Sequence, residues 1–125
     1  MSTAADRLHH LAGIVRRLEG DYRTTAGLAR EHLDSAARLV AEMPVDLDSP
    51  AVEILARSPA ELEATRPEEL DAAGIPAGLV SQILADHRAA RRHEAERVIL
   101  SGRLRDARLL LEACNEYAAQ KGIAL

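Results

Sequence analysis

Two helical periodicities run together through the first forty residues of this chain. Glycines and arginines recur at alternating steps of three and four, and on an α-helix this spacing returns every member to one side. We call this set the Gly/Arg face; its members are Gly13, Arg16, Gly20, Arg23, Gly27 and Arg30. An apolar series keeps the same rhythm roughly 130° around the axis, at about 100° per residue. The pattern predicts a long helix with one side packed and the other side directed away from the core.

The apolar series continues without a change of phase until a proline interrupts it. Its members are Leu8, Leu11, Val15, Leu18, Tyr22, Ala26, Ala29, Leu33, Ala36, Val40 and Met43. We predict one unbroken helix within residues 1–43, beginning after Ser2 or Thr3, with a break at Gly20-Asp21 as the alternative. Forty helical residues extend about 60 Å. The predicted molecule is therefore elongated, and its apolar stripe needs a companion of similar length, most simply a second copy of the chain.

Residues 44–76 contain all five prolines, and Pro44 is expected to end the first helix. Serine followed by proline predicts an N-cap and a first helical position at two places in this segment. We expect short helices at residues 50–57, 59–64 and 67–73. The segment is also acidic, with eight carboxylates and two arginines.

Local sequence also predicts how these short helices begin and end. Ser58 with Glu61, and Thr65 with Glu68, have the spacing of a capping box. Gly74 is expected to stop the third short helix, because glycine readily adopts the left-handed conformation found just after a helix.

A second long helix is predicted over residues 77–122, either continuous or folded into a hairpin at Ser101-Gly102. Its packing line is predicted to contain Val80, Ile83, His87, Ala90, Glu94, Val98, Leu104, Ala107, Leu111, Cys114 and Ala118. No segment alternates with a period of two, so no strands are expected. The predicted fold class is all-α: an elongated helical bundle with long N- and C-terminal helices and short helices between them, forming one domain over residues 1–125.

Composition narrows the class of protein. Cys114 is the single cysteine, so no disulfide framework is expected and a reducing cytoplasm is the predicted compartment. No stretch approaches the roughly 18 apolar residues of a membrane span. The net charge of −4, with its acidic middle segment, argues against a broad nucleic-acid surface.

Motifs that carry chemistry are not apparent. The five histidines lack the spacing of a metal site, and no phosphate-binding glycine loop or nucleophile elbow occurs. The sequence therefore favours a protein that is not an enzyme, and it predicts no cofactor and no metal.

The Gly/Arg face is the predicted partner-binding surface. A glycine inside a helix costs about 1 kcal/mol relative to alanine, and close approach of another backbone, or of an anion between the arginines, would explain three of them. The simpler interpretation is tolerated glycines beside solvated arginines. The expected function is an interaction or adaptor protein, with a regulatory role, whose partner is another protein or a second copy in a homodimer. The chain's own acidic segment is a further candidate partner.

Residues 69–88 also resemble the helix-turn-helix of lambda-repressor-type DNA-binding proteins. Gly74 matches the turn glycine and Ile75 the apolar residue after it, while Val80 and Ile83 match buried positions of the recognition helix. The resemblance covers about twenty residues.

This resemblance implies an alternative function as a DNA-binding transcriptional regulator. Ser81 and Gln82 would read bases, and Arg88 and Arg91 would contact phosphates. The chain departs from the family at Leu70, where the family prefers a small alanine. A loop between two ordinary helices is the other interpretation of this segment.

Overall fold

The protein is all-α, as the sequence predicts. The structure, a computed structural model, describes residues 3–43 and 46–123. Its helices are α1 (Ala4–Ala41), α2 (Pro50–Leu55), α3 (Pro59–Glu63), α4 (Pro67–Ala72) and α5 (Ala77–Gln120). Within those two ranges there is no strand. None of the described helices combines the length and the hydropathy that crossing a membrane requires.

Helix α1 begins at a reciprocal cap. The Oγ1 atom of Thr3 accepts a hydrogen bond from the backbone N–H of Asp6 at 3.1 Å, and Asp6 Oδ2 accepts one from the N–H of Thr3 at 3.2 Å. The hydrogen bond from the backbone N–H of Thr3 to its carboxylate lowers the pKa of Asp6. The helix then continues through Gly20, which confirms the prediction of an unbroken helix. Ser2 and Pro44, the other predicted end residues, lie outside the described residues.

Helices α2 and α3 begin at the predicted serine caps. Ser49 Oγ accepts a hydrogen bond from the N–H of Ala51 at 3.2 Å. Ser58 Oγ accepts one from the N–H of Glu61, and the Glu61 carboxylate accepts one from the N–H of Ser58, both at 3.3 Å. The predicted capping box at Ser58 is therefore confirmed.

The second predicted capping box, Thr65 with Glu68, is wrong. The N-cap of α4 is Arg66, which makes no side-chain capping hydrogen bond. The Thr65 hydroxyl instead donates to the carbonyl of Glu61 at 3.0 Å and accepts from Arg57 Nη1 at 2.9 Å. Because this hydroxyl is already engaged with the preceding helix, α4 begins one residue later.

Gly74 ends α4 and sets the start of α5. Its φ is +74°, in the left-handed region that favours glycine. The N–H of Ile75 donates to the carbonyl of Leu70 at 2.9 Å, and the N–H of Gly74 donates to that of Asp71 at 3.1 Å. This pair of hydrogen bonds is a Schellman motif. Leu70 and Ile75 are both buried in the same apolar cluster, so the turn is held by packing as well.

The described chain divides into two compact units. Unit 1 comprises the described residues of Met1–Gly27 and Glu94–Leu125, and unit 2 is formed by Leu28–His93. Unit 2 has the larger core, which gathers residues from all five helices and from the turn after α4; its buried members are Ala36, Ala51, Ile54, Leu62, Leu70, Ile75, Val80, Ile83 and Leu84. In unit 1, α1 and α5 pack antiparallel around Val15, Leu18 and Leu104.

The packed side of α1 differs from the predicted series in its second half. Leu33, predicted to pack, is 48% exposed, whereas Thr25 is buried and His32 is half-buried. The inner positions keep a seven-residue repeat, as in a coiled coil, and this repeat places residues 25 and 32 inward in preference to 26 and 33. The prediction is wrong here because it considers only which residues are apolar. His32 lies on the packed side because it contacts a polar partner on α5.

The packed side of α5 shows the same correction. The sequence predicts that Glu94 and Val98 pack, yet both are exposed. His93 and Arg97 take the inner positions instead, where Arg97 bonds to Tyr22 and His93 stacks on His32. Leu104, Ala107, Leu111, Cys114 and Ala118 do lie on the packed side as predicted. The helix runs through Ser101-Gly102 without a hairpin.

Two glycine-to-alanine substitutions are expected to have opposite effects. Gly20 lies inside α1, and a Cβ added there would meet nothing within 4 Å. Gly20→Ala should therefore raise the free energy of unfolding by about 1 kcal/mol, through helix propensity. Gly74→Ala also adds a Cβ in open space, but its positive φ should lower the stability by about 1–2 kcal/mol. Urea denaturation followed by circular dichroism measures both, and equal effects would contradict this account.

Candidate functional site

The Gly/Arg face lies on the solvent side of α1. Its three arginines are exposed, as are Gly20 and Gly27, while Gly13 is half-buried. A Cβ built at Gly13 would meet only the Arg16 guanidinium, at 3.9 Å, and one built at Gly20 or Gly27 would meet nothing within 4 Å. The packing of the chain therefore does not require glycine at these positions.

The arginines of this face differ in their partners. Arg23 Nη2 lies 3.7 Å from Glu19 Oε2, one helical turn away. Arg108 on α5 donates to the other oxygen of the same carboxylate, at 3.2 Å. Arg30, which lies in unit 2, is exposed on the same side of the helix.

The acidic segment finds cations within its own unit. Arg57 Nη2 donates to Glu69 Oε1 at 2.7 Å, and the same group lies 3.8 Å from Glu53. Arg88 Nη2 donates to Glu63 Oε1 at 3.2 Å. Its hydrogen bond with Arg57 lowers the pKa of Glu69. Arg57 therefore connects the end of α2 to α4, and part of the local acidity has a structural role.

The segment that resembles a helix-turn-helix consists of α4, the Gly74 turn and the start of α5. Val80 and Ile83 are buried, as expected of the inner side of a second helix. The predicted base-reading residues, Ser81 and Gln82, are exposed. The predicted phosphate contacts, Arg88 and Arg91, are exposed as well, although Arg88 pairs with Glu63.

A polar cluster in unit 2 joins α1 to α5. His32 Nδ1 lies 2.9 Å from Asp86 Oδ1, and the His32 ring stacks on His93 with centroids 5.6 Å apart. Hydrogen bonds from His32 and from Ser35 lower the pKa of Asp86. Because Ser35 bonds to the carboxylate and not to the imidazole, the three residues do not form a serine–histidine nucleophile pair. Among residues 3–43 and 46–123, no group of three or more His, Cys, Asp or Glu side chains is arranged to hold a metal.

A second polar contact joins the same helices in unit 1. Arg97 Nη1 donates to the Tyr22 hydroxyl at 3.1 Å, and its guanidinium carbon lies 5.8 Å from the centroid of that ring. Arg97 Nε also donates to Glu94 Oε2 at 2.9 Å, and this pairing lowers the pKa of Glu94. Arg97 therefore spans from its own helix to α1.

Among the described residues of unit 1, the most exposed large apolar side chains lie on α5. Five large side chains on this helix are 55–63% exposed: Val98, Ile99, Leu109, Leu110 and Tyr117. With about 100° of rotation per residue, these side chains fall within a sector of roughly 120° around the helix axis. The centre of this sector is about 140° from the side of α5 that packs on α1. We call this set the outer face of α5. Helix α5 is therefore apolar on two sides within unit 1, and only one of them packs on α1.

Charged residues border the outer face. A groove of about 540 Å³ between α1 and α5 runs beside it, and its lining includes Glu19, Arg105, Arg108, Leu109 and Glu112. An apolar patch with a polar rim is the usual composition of a protein–protein interface.

An apolar cleft lies at the far end of the same unit. Its volume is about 370 Å³, and its lining includes Leu8, Leu11, Cys114 and Tyr117. Cys114, predicted to be a buried packing residue, is half-buried.

Sequence reasoning missed the outer face because it assigned the apolar residues of α5 to one packing line. The sequence did contain a signal for this face, namely pairs of large apolar residues next to each other in the chain. Neighbouring residues on a helix point about 100° apart, so the pairs Val98-Ile99 and Leu109-Leu110 cannot all share one narrow stripe. Searches of protein families, of curated proteins and of solved structures find no match to this chain.

Acidification is expected to destabilise the protein through Asp86. Its folded-state pKa lies below its unfolded value, so its contribution to stability is present above the unfolded pKa and is lost as the pH falls through the folded pKa. Asp86→Asn should therefore flatten the decline in unfolding free energy below about pH 4. Urea denaturation at a series of pH values measures this slope. Asp48→Asn, at an exposed position, is the matched control, and an unchanged slope in Asp86→Asn would contradict the assignment.

Proposed function

We propose that this protein is a non-enzymatic helical interaction module that binds a protein partner through the outer face of α5. One observation carries the proposal: five large apolar side chains are exposed on the side of α5 that does not pack on α1. Groups of exposed large apolar side chains bordered by charged residues mark protein interaction sites.

The shape of the surface favours a helical partner. Val98, Leu109 and Tyr117 lie at successive levels along one helix, so the contact is a long strip and not a pocket. An amphipathic helix laid along such a strip would bury its own apolar side against it. Arg105 and Glu112, beside the strip, would border the contact with charges of both signs.

The Gly/Arg face is a separate proposed surface on the same protein. Its exposed positions are glycines and arginines, with no large apolar side chain among them. A contact there would depend on hydrogen bonds and charge, whereas a contact at the outer face would depend on apolar burial. Probes placed on the two surfaces can therefore test them independently.

A photo-crosslinking amino acid at Leu109 should form a covalent adduct with a partner protein in the cells that make this chain. The same probe at Leu47, which is 90% exposed and outside α5, is the control and should form none. Adding Ile99→Glu to the Leu109 probe should remove the adduct, because a carboxylate would be desolvated in the contact. A probe at Gly20 tests the Gly/Arg face. No adduct from Leu109 would contradict the proposed function.

A second candidate function is DNA binding through residues 69–92. The observation that favours it is the Gly74 turn, with Val80 and Ile83 buried behind the exposed Ser81 and Gln82. On this alternative, duplex DNA should raise the light-scattering mass, and Arg91→Ala should reduce the salt slope of binding by about one. A mass that is unchanged by duplex DNA would rule it out.

A further inference from the structure

We infer that the outer face of α5 pairs with the same face of a second copy of this chain, with the two helices antiparallel about a two-fold axis level with Leu104. This inference rests on the proposed function, since it names the partner of the same surface. Three features of unit 1 support it: the order of side-chain sizes along the face, the position of its central charges, and the small core of the unit.

Along the outer face, side chains of similar size lie at equal distances on either side of Leu104. Val98 and Leu110 are equally far from Leu104 along the helix, and so are Ile99 and Leu109. Ala95 and Ala113 form the next equidistant pair and share the same side of the helix. In an antiparallel pair each residue lies level with its equidistant counterpart, and equal flanks of the two helices meet. Val98 would therefore contact Leu109 of the second copy, Ile99 would contact Leu110, and Ala95 would contact Ala113. A two-fold interface requires this self-complementarity, and an unrelated partner does not.

The charges near the centre of the face are complementary in the same register. Asp106 would lie opposite Gly102 of the second copy, where the lack of a side chain leaves room. Next to that glycine is Arg103, on the same flank of the helix as Asp106. Since a two-fold axis across antiparallel helices brings equal flanks together, Asp106 of each copy would reach Arg103 of the other. Both residues are exposed in the single chain, where Asp106 lies 3.5 Å from Arg105.

The small core of unit 1 provides a reason to associate. Its described apolar cluster has Val15, Leu18 and Leu104 as its fully buried members, and α1 and α5 are the helices that form it. Two packed helices bury little apolar surface, and small cores of this kind are commonly completed by oligomerisation. Pairing through the outer face would cover α5 on its second apolar side.

A charge-exchange experiment tests this register on the full-length protein. The wild type should have the light-scattering mass of a dimer, twice 13.5 kDa. Asp106→Arg and Arg103→Asp should each weaken dimerisation at least about tenfold, because both central pairs become repulsive. Mixing the two variants should restore the dimer, because every central pair then joins opposite charges. The introduced arginine of one variant faces the introduced aspartate of the other, and the native Arg103 of the first faces the native Asp106 of the second.

The matched control is Arg17→Asp. It makes the same change of charge at an exposed position of α1, outside the outer face of α5, so its dissociation constant should equal that of the wild type. An effect of Arg17→Asp as large as that of Arg103→Asp, or a mixture that stays monomeric, would overturn the proposed register. Circular dichroism of each variant establishes that these exposed substitutions leave the helices folded.

Spin-label distances separate antiparallel from parallel pairing. With Cys114→Ala as background, a label on Glu116→Cys should lie about 36 Å from its counterpart along the axis, from a rise of 1.5 Å per residue over the twelve residues on each side of Leu104. In a parallel pair the two labels would lie at the same level, about one helix–helix spacing of 8–10 Å plus the label arms apart. The short distance would overturn the inference.

Failure of this inference and failure of the proposed function give different results. A protein that stays monomeric up to about 0.1 mM, while its Leu109 probe forms an adduct with a different protein, would overturn the second-copy pairing and leave the interaction function standing. A Leu109 probe that forms no adduct at all would overturn both. An adduct of twice the chain mass, lost in Asp106→Arg, is the result expected here.

Discussion

The inner side of α1 packs against α5 within each unit, and this packing decides which side chains are buried and which stay at the surface. Both inner sides follow a seven-residue repeat, but several of their positions are polar. In unit 1 Tyr22 meets Arg97, and in unit 2 His32 meets Asp86. A polar group on a packed side needs its partner at the same level, because a shifted register would leave it desolvated and unbonded. These contacts therefore specify the alignment of helices whose apolar residues, chiefly alanine and leucine, discriminate poorly between registers.

In unit 2, local caps and turns set where the short helices begin and end, and the last of these turns sets where α5 begins. Ser49 and Ser58 start α2 and α3, and Gly74 ends α4 with its neighbour Ile75 buried. Arg57 ties this segment together through Glu69 and Thr65. Some carboxylates of this acidic segment therefore bind partners within the unit, so its acidity is not by itself evidence of a binding surface.

The Gly/Arg face of α1 and the outer face of α5 differ in what they can bind. The Gly/Arg face offers exposed backbone between cations, and it suits polar or anionic contacts. The outer face of α5 offers apolar area, which drives association by burial. Both faces belong to helices whose other sides are already packed, so a partner could bind either face without opening the core. This is why an interaction module is the function that the geometry supports best.

The sequence specified the helices, because the signals that start, continue and end them are local. Thr3, Ser58 and Gly74 act through hydrogen bonds within a few residues, and the apolar rhythm carried α1 through Gly20 without a break. It did not determine which residues face inward. Leu33 and Val98 are apolar and exposed, whereas His32 and Arg97 are polar and lie on the packed sides. The inward positions of these two residues depend on tertiary contacts, since His32 meets Asp86 and Arg97 meets Tyr22 from distant parts of the chain. The outer face of α5 also depends on tertiary structure. Its residues are apolar in the sequence, but they are exposed because α1 covers the other side of the helix.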